Sequence, residues 1–133
     1  MVKVFDSSAV LAFLFDEPGA EKVRSALSDS DGAGLISAVN AGEVLLVLVR
    51  AGMSLDGATD ALCMARLTPL PFSLSQAAVV GGVGFFLRSR KHGLSLGDYA
   101  CIATALHRDV PVVTADRIWA DLQIPNLQIE VIR

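Results

Sequence analysis

Cysteine is scarce in this chain of 133 residues: Cys63 and Cys101 are the only two, and their separation fits neither a disulfide framework nor metal-ligand spacing. Both sit in helix-like apolar patterns and read as small buried hydrophobes. Long hydrophobic runs are missing as well. The longest uncharged apolar stretches, such as "AAVVGGVGFFL" (Ala77 to Leu87), fall short of the about 18–20 residues needed to span a bilayer and contain glycines, so no membrane association is expected. The opening "MVKVFDSSAV" meets an acid at Asp6 before a signal-like apolar stretch forms, which predicts no export segment and a cytoplasmic location. Positive charge is not in excess either: 11 Lys and Arg stand against 14 Asp and Glu, a net charge of −3. That balance argues against a protein that coats nucleic acid by neutralising phosphates, but not against an enzyme that positions one phosphodiester with metal ions. No repeat, low-complexity tract or linker interrupts the chain, so residues 1–133 are read as a single domain.

What the chain does have is apolar content, 53% of residues, with a mean hydropathy of +0.54. A sheet buried on both faces, or an interface, would use it. The apolar run Val2–Phe5, followed by "DSSAVLAFLF", makes a strand, an N-cap-rich turn and a helix. An amphipathic helix follows from about Ala20 to Ser28, then a Gly/Asp turn, a short strand at Leu35–Ile36 and a helix from Ala38 to Ala51 ended by Gly52. Leu55–Arg66 reads as a helix, "TPLPF" as a short edge strand, and Gln76–Arg90 as a helix whose glycines (Gly81, Gly82, Gly84) suggest close helix packing. Asp98–Arg108 is helical, "VPVVT" a buried strand, "ADRIWADL" one or two helical turns, and "LQIEVI" a last strand. Strands alternating with helices imply an α/β fold, a three-layer domain with a mainly parallel central sheet flanked by helices. In such sheets ligands bind outside the carboxyl ends of the strands.

Four acids point to that edge. Asp6 ends the first strand and is the only charge between Lys3 and Asp16; Asp116 follows the "VPVVT" strand. Glu43 is the only charge from Gly32 through Val49 and opens the aliphatic stretch "EVLLVLV". Asp98 is the one charge between Lys91 and Arg108, and helix N-termini lie at the same edge in β-α units. Simpler readings compete one by one: Asp6 or Asp98 as an N-cap, Asp116 as a cap ion-paired to Arg117, Glu43 paired with Arg50. One shared site explains all four together. Carboxylates gathered in one place repel one another unless a cation compensates them, and oxygen-only donors suit Mg²⁺ or Mn²⁺ rather than zinc. The matching chemistry is phosphodiester hydrolysis, with Ser7, Ser8 and Thr114 placed to orient the strand-end acids or to cap helices.

The stretches "DSSAVLAFLFDEPGA", "ISAVNAGEVLLVLVRAG" and "GLSLGDYACIATALHRDVPVVTADRIW", with the closing strand, resemble in order the PIN-domain nucleases, and among them the VapC-type toxins of bacterial toxin–antitoxin pairs. The resemblance implies a parallel sheet wrapped by helices, an Mg²⁺/Mn²⁺ centre of Asp6, Glu43, Asp98 and Asp116 that is both catalytic and metal-holding, and Ser7 and Thr114 as supporting groups. It also implies cleavage of a cellular RNA, a homodimer and inhibition by a cognate antitoxin. Tyr99 stands where many relatives carry a small or basic residue; Asp121 reads as a solvated helix position and His107 as a surface residue.

"RSRKHG" holds the densest positive cluster, and Arg88, Arg90 and Lys91 are candidates for phosphate contacts, against the alternative of a solvated helix C-terminus. The aliphatic helices near Leu45–Val49 and Leu62–Leu67 suit either ordinary core or a dimer or antitoxin contact. Two rivals to a nuclease are considered. A receiver-like phosphoacceptor would need a lysine at the pocket, and the only lysines are Lys3, Lys22 and Lys91; a non-catalytic PIN-like binding module would not need all four acids.

Overall fold

Apolar β segments as short as two residues hold a sheet here because both faces are covered: Val4, Phe5, Val112 and Val113 are at most 1% exposed. In a computed structural model of the chain, residues 1–29 and 34–133 are described. The elements run β1 (Val4–Phe5), α1 (Ser7–Leu14), α2 (Ala20–Asp29), β2 (Gly34–Ser37), α3 (Ala38–Arg50), α4 (Leu55–Met64), β3 (Leu67–Leu70), α5 (Leu74–Phe86), α6 (Leu96–Arg108), β4 (Val112–Thr114), a 3₁₀ segment (Arg117–Asp121) and β5 (Ile129–Val131). The Gly/Asp turn expected after α2 falls on residues 30–33 and the positions beside them, and lies largely outside the described residues.

All the pairings are parallel and the strand order is β3-β2-β1-β4-β5. Strand side chains alternate, so the two residues of β1 feed different layers. Phe5 joins Val10, Val23, Ile36, Val44, Leu48 and Leu62 on one side. Val4 joins Val83, Leu87, Ile102, Val112 and Trp119 on the other. This is the three-layer α/β arrangement expected. Pro69 sits in β3, at the sheet edge, where a missing N–H is tolerated.

Serine caps set the helix starts: Ser37, Ser54, Ser73 and Ser95 each accept a backbone N–H from the first turn of α3, α4, α5 and α6. Gly52, with φ 107°, takes the left-handed turn past α3. Three expectations need correcting. Cys63 is exposed: the buried stripe of α4 is Ala58 and Leu62, continued by Ala65 just past its end at a helical i, i+4, i+7 spacing, and Cys63 lies off it. The helix expected to reach Arg90 ends at Phe86, and the "RSRKHG" stretch follows as a turn. A Cβ at Gly81, Gly82 or Gly84 would meet nothing within 4 Å, so close helix packing within the chain does not explain these glycines. Among the described residues no helix is long and apolar enough to cross a membrane.

Strands β1, β2 and β3 step one way across the sheet and β4, β5 the other, so the direction reverses between β1 and β4. The crevice outside their carboxyl ends is where such sheets take ligands.

Candidate active site

Asp6 follows β1 and Asp116 lies two residues past β4, which puts both at that reversal. Asp6 occupies the N-cap position of α1, yet its side chain makes no capping bond. Its carboxylate is 2% exposed and turned inward. Oδ2 accepts hydrogen bonds from Ser8 Oγ (2.6 Å) and Thr114 Oγ1 (3.0 Å), whereas Oδ1 is buried with no partner. Burial lifts the Asp6 carboxyl from 3.8 to about 6; the nearby charges of Asp98 and Glu43 add to the rise, and the Ser8 and Thr114 bonds oppose it.

Thr114 ties the two strand ends together, since its Oγ1 also accepts the Asp116 N–H at 3.1 Å. Ser8 Oγ accepts the Ala115 N–H at 3.0 Å, a second clasp between α1 and the end of β4. Asp116 does act as a cap, accepting the Ile118 N–H at Oδ1 (3.0 Å) ahead of the 3₁₀ segment. The capping half of its simpler reading therefore holds, but the expected ion pair with Arg117 does not form among the described residues: Arg117 Nε donates instead to the Arg133 carbonyl at 2.9 Å.

Glu43 lies in the second turn of α3, half-buried, and its Oε1 accepts from Ser7 Oγ (3.0 Å) and Asn40 Nδ2 (2.7 Å). Asn40 is fully buried and also donates to the Gly97 carbonyl at 3.0 Å, which joins α3 to the first turn of α6; its Oδ1 has no partner. Gly97 is required by this approach: a Cβ there would lie 2.4 Å from Glu43 Oε2. Asp98 is the third residue of the Ser95 capping box, taking the Ser95 N–H at Oδ2 (2.9 Å) while its own N–H goes to Ser95 Oγ (3.2 Å). The cap itself is Ser95, not Asp98. Burial raises the Asp98 carboxyl, with the charges of Asp116 and Glu43 adding.

The charges of Asp98 and Glu43 thus reach Asp6, and those of Asp116 and Glu43 reach Asp98, which links the four acids in one electrostatic cluster. Among the described residues none of them is ion-paired to Lys, Arg or His, and no three Asp, Glu, His or Cys side chains converge tightly enough to enclose one ion as they stand. The donors are oxygen throughout. Cys101 lies beneath them with its thiol pushed well up by burial and by the charges of Asp6, Asp98 and Glu43. An orphaned, buried carboxylate oxygen amid uncompensated negative charge fits a hard divalent cation. A concavity of about 420 Å³, lined by Met1, Lys3 and Pro111 among others, lies at the other end of the strands and touches none of these acids.

Sequence reasoning selected Asp6, Glu43, Asp98, Asp116, Ser7 and Thr114, and the fold brings all six to one edge. It passed over Asn40 and Gly97. Asn40 had a readable signal, being a lone amide three residues before Glu43 on the same helix face. Arg88, Arg90 and Lys91 are exposed on the turn between α5 and α6, and Asp121 and His107 are exposed too.

Among curated proteins none matches this sequence significantly. The fold is shared by solved toxin–antitoxin structures at low identity. The VapBC2 structure of Rickettsia felis bound to a promoter DNA fragment superposes with a TM-score of 0.77 at 17% identity, covering 98% of each chain. VapBC-1 of nontypeable Haemophilus influenzae gives 0.72 at 16% identity, again over 98% of each chain. DNA-bound VapBC of Salmonella typhimurium gives 0.69 at 19% identity over 100% of both. The profile of the PIN domain matches residues 3–124, nearly the whole length, and the chain belongs to the PIN-domain family.

Proposed function

We propose that this protein is an Mg²⁺- or Mn²⁺-dependent endoribonuclease that acts as the toxin of a toxin–antitoxin pair. The observation that carries the reading is the buried, unpartnered Oδ1 of Asp6 at the sheet's reversal point, with Glu43 and Asp98 within charge reach of it, Asp116 within reach of Asp98, and no ion pair to offset the four acids among the described residues. Asp6, Glu43, Asp98 and Asp116 would hold the ion. A divalent cation bound there supplies positive charge to a phosphodiester and makes water more acidic.

The chain's own groups do the positioning. Ser8 and Thr114 fix the Asp6 carboxylate from one oxygen and leave the other free. Ser7 and Asn40 hold Glu43 against the first turn of α6, and Ser95 anchors Asp98 by one oxygen. In this reading Asp98, half-buried and with a raised proton affinity, takes the proton of the water that adds to phosphorus as the P–O bond to the leaving ribose opens. A phosphoacceptor reading finds no lysine among the acids; Lys3 sits at the amino end of β1 and is paired with Glu130 at 2.7 Å.

The structural neighbours are toxin–antitoxin structures, which supports an antitoxin partner for this chain. Leu46, Val47 and Val49 on α3 are exposed and supply apolar surface for a second copy or that partner. A cytoplasmic setting follows from the same reading. The test is cleavage of a 5′-labelled single-stranded RNA by purified protein in Mn²⁺, in Mg²⁺ and in EDTA. Cleavage in either metal, its loss in EDTA, and a loss of about 100-fold or more in Asp98→Asn with unchanged folding are expected. Full cleavage by Asp98→Asn would overturn the proposal.

A further inference from the structure

Between Asp60 and Asp98 the sequence contains no acidic residue, although the chain as a whole is acidic. The cations of that interval concentrate in the turn after α5, as Arg88, Arg90 and Lys91, and among the described residues none of the three is paired with a carboxylate. Aromatic rings lie directly beneath two of them. The Arg88 guanidinium sits 3.9 Å over the Phe85 ring, and that of Arg90 lies 4.9 Å over Phe86. Phe85 is nevertheless 67% exposed, and Phe86 36%. Two exposed phenylalanines at a helix end would ordinarily be turned inward; here they serve as supports for charged planes.

The two pairs are held differently. Arg90 also donates to the Leu122 carbonyl, which fastens the turn to the segment after the 3₁₀ helix. Among the described residues the Arg88 side chain hydrogen-bonds only its own helix end, the Phe85 carbonyl at 2.8 Å, so most of its donors are left to a ligand. The turn then runs directly through His92, whose Nδ1 accepts the Leu94 N–H, into Ser95 and the Asp98 turn of α6.

We infer that Phe85, Arg88 and Lys91 form a docking strip for the single-stranded RNA that flanks the bond cut at the acidic cluster. Arg88 and Lys91 contact phosphates, and the Phe85–Arg88 stack presents a flat face to an unpaired base. The inference rests on the nuclease reading above and adds where the substrate lies. A strip read by charge alone would need no aromatic platform; stacked rings and guanidinium planes are what splayed, single-stranded bases use. An acidic peptide matches the charge but gains nothing from the rings.

The test is binding of a fluorescent single-stranded RNA by the full chain in EDTA, where metal-dependent cleavage is off, across a range of salt. Arg88→Ala/Lys91→Ala is expected to weaken binding at least 10-fold at low salt and to flatten the salt dependence by about 1.4 in log–log slope, at about 0.7 per phosphate contact. Phe85→Ala, a change at an exposed site, is expected to weaken binding at least 5-fold with the salt slope unchanged, and Phe85→Trp to preserve it. Polyglutamate and a duplex of the same length should compete poorly. Wild-type affinity in both alanine variants overturns the inference while leaving the nuclease reading intact if the wild type still cuts. Equal competition by polyglutamate overturns it in favour of an acidic protein partner. A wild type that cuts in Mn²⁺ yet binds no RNA in EDTA overturns the strip alone, and one that does neither overturns both.

Discussion

Replacing Asp6 by Asn should stabilise the metal-free protein at neutral pH, an unusual outcome for loss of a buried charge with two hydrogen bonds. A carboxyl raised from 3.8 to about 6 by folding costs the folded state about 3 kcal/mol once ionised, at 1.36 kcal/mol per pH unit. Asn keeps an oxygen for Ser8 and Thr114 but turns the unpartnered position into an N–H donor without an acceptor, which returns about 1–2 kcal/mol. A net gain of about 1–2 kcal/mol remains at pH 7.5, or about 4–7 °C in Tm for a chain of this size.

The pH dependence separates this from a generic effect. Because the folded value lies above the unfolded one, the contribution of Asp6 to stability is fully present below about pH 4 and is lost as pH rises through about 6. The advantage of Asp6→Asn should therefore vanish by about pH 4. Mn²⁺ should reverse the order at pH 7.5, raising the wild-type Tm and leaving the variant where it was. Thermal melts of both proteins at pH 4 and pH 7.5, each with Mn²⁺ and with EDTA, decide it. An Asp6→Asn that melts below the wild type at pH 7.5 in EDTA would refute the claim that Asp6 is an uncompensated buried charge.

Further predictions concern the groups around the acids. Gly97→Ala places a methyl where Glu43 Oε2 lies and should cut RNA cleavage at least 10-fold while lowering Tm little, since a side-chain terminus rather than backbone must move. Thr114→Val removes one of the bonds that hold the Asp6 value down; the acid limb of the cleavage pH profile should shift to higher pH, and a profile that stays in place would contradict the assignment. Asn40→Leu severs α3 from Gly97 and frees Glu43, and is expected to weaken Mn²⁺ binding measured by calorimetry about 10-fold or more.

The three-layer plan was readable because it rests on local signals: apolar strands, helical apolar periodicity, and the glycine after α3. The acids were readable because each is a lone charge in an apolar run, where an ionised group needs a partner. What escaped depends on contacts distant in sequence. Nothing near Gly97 announces that Glu43 will press against it, and the exposure of Cys63 turns on which stripe of α4 meets the core. The "RSRKHG" turn was expected to continue a helix, but Arg90 is drawn to the Leu122 carbonyl from far along the chain. Asp98 carries both a capping signature, Ser95 with an acid three residues on, and a place in the cluster; a single sequence does not choose between them, because the fold uses both.

The central claim is that these four acids cut RNA. It is tested most directly by mapping new RNA 5′ ends in cells after brief induction of the wild type and, in parallel, of Asp6→Asn. Discrete ends that appear only with the wild type, accompanied by growth arrest, are predicted and would identify the substrate; identical maps with unimpaired growth in both would contradict the account.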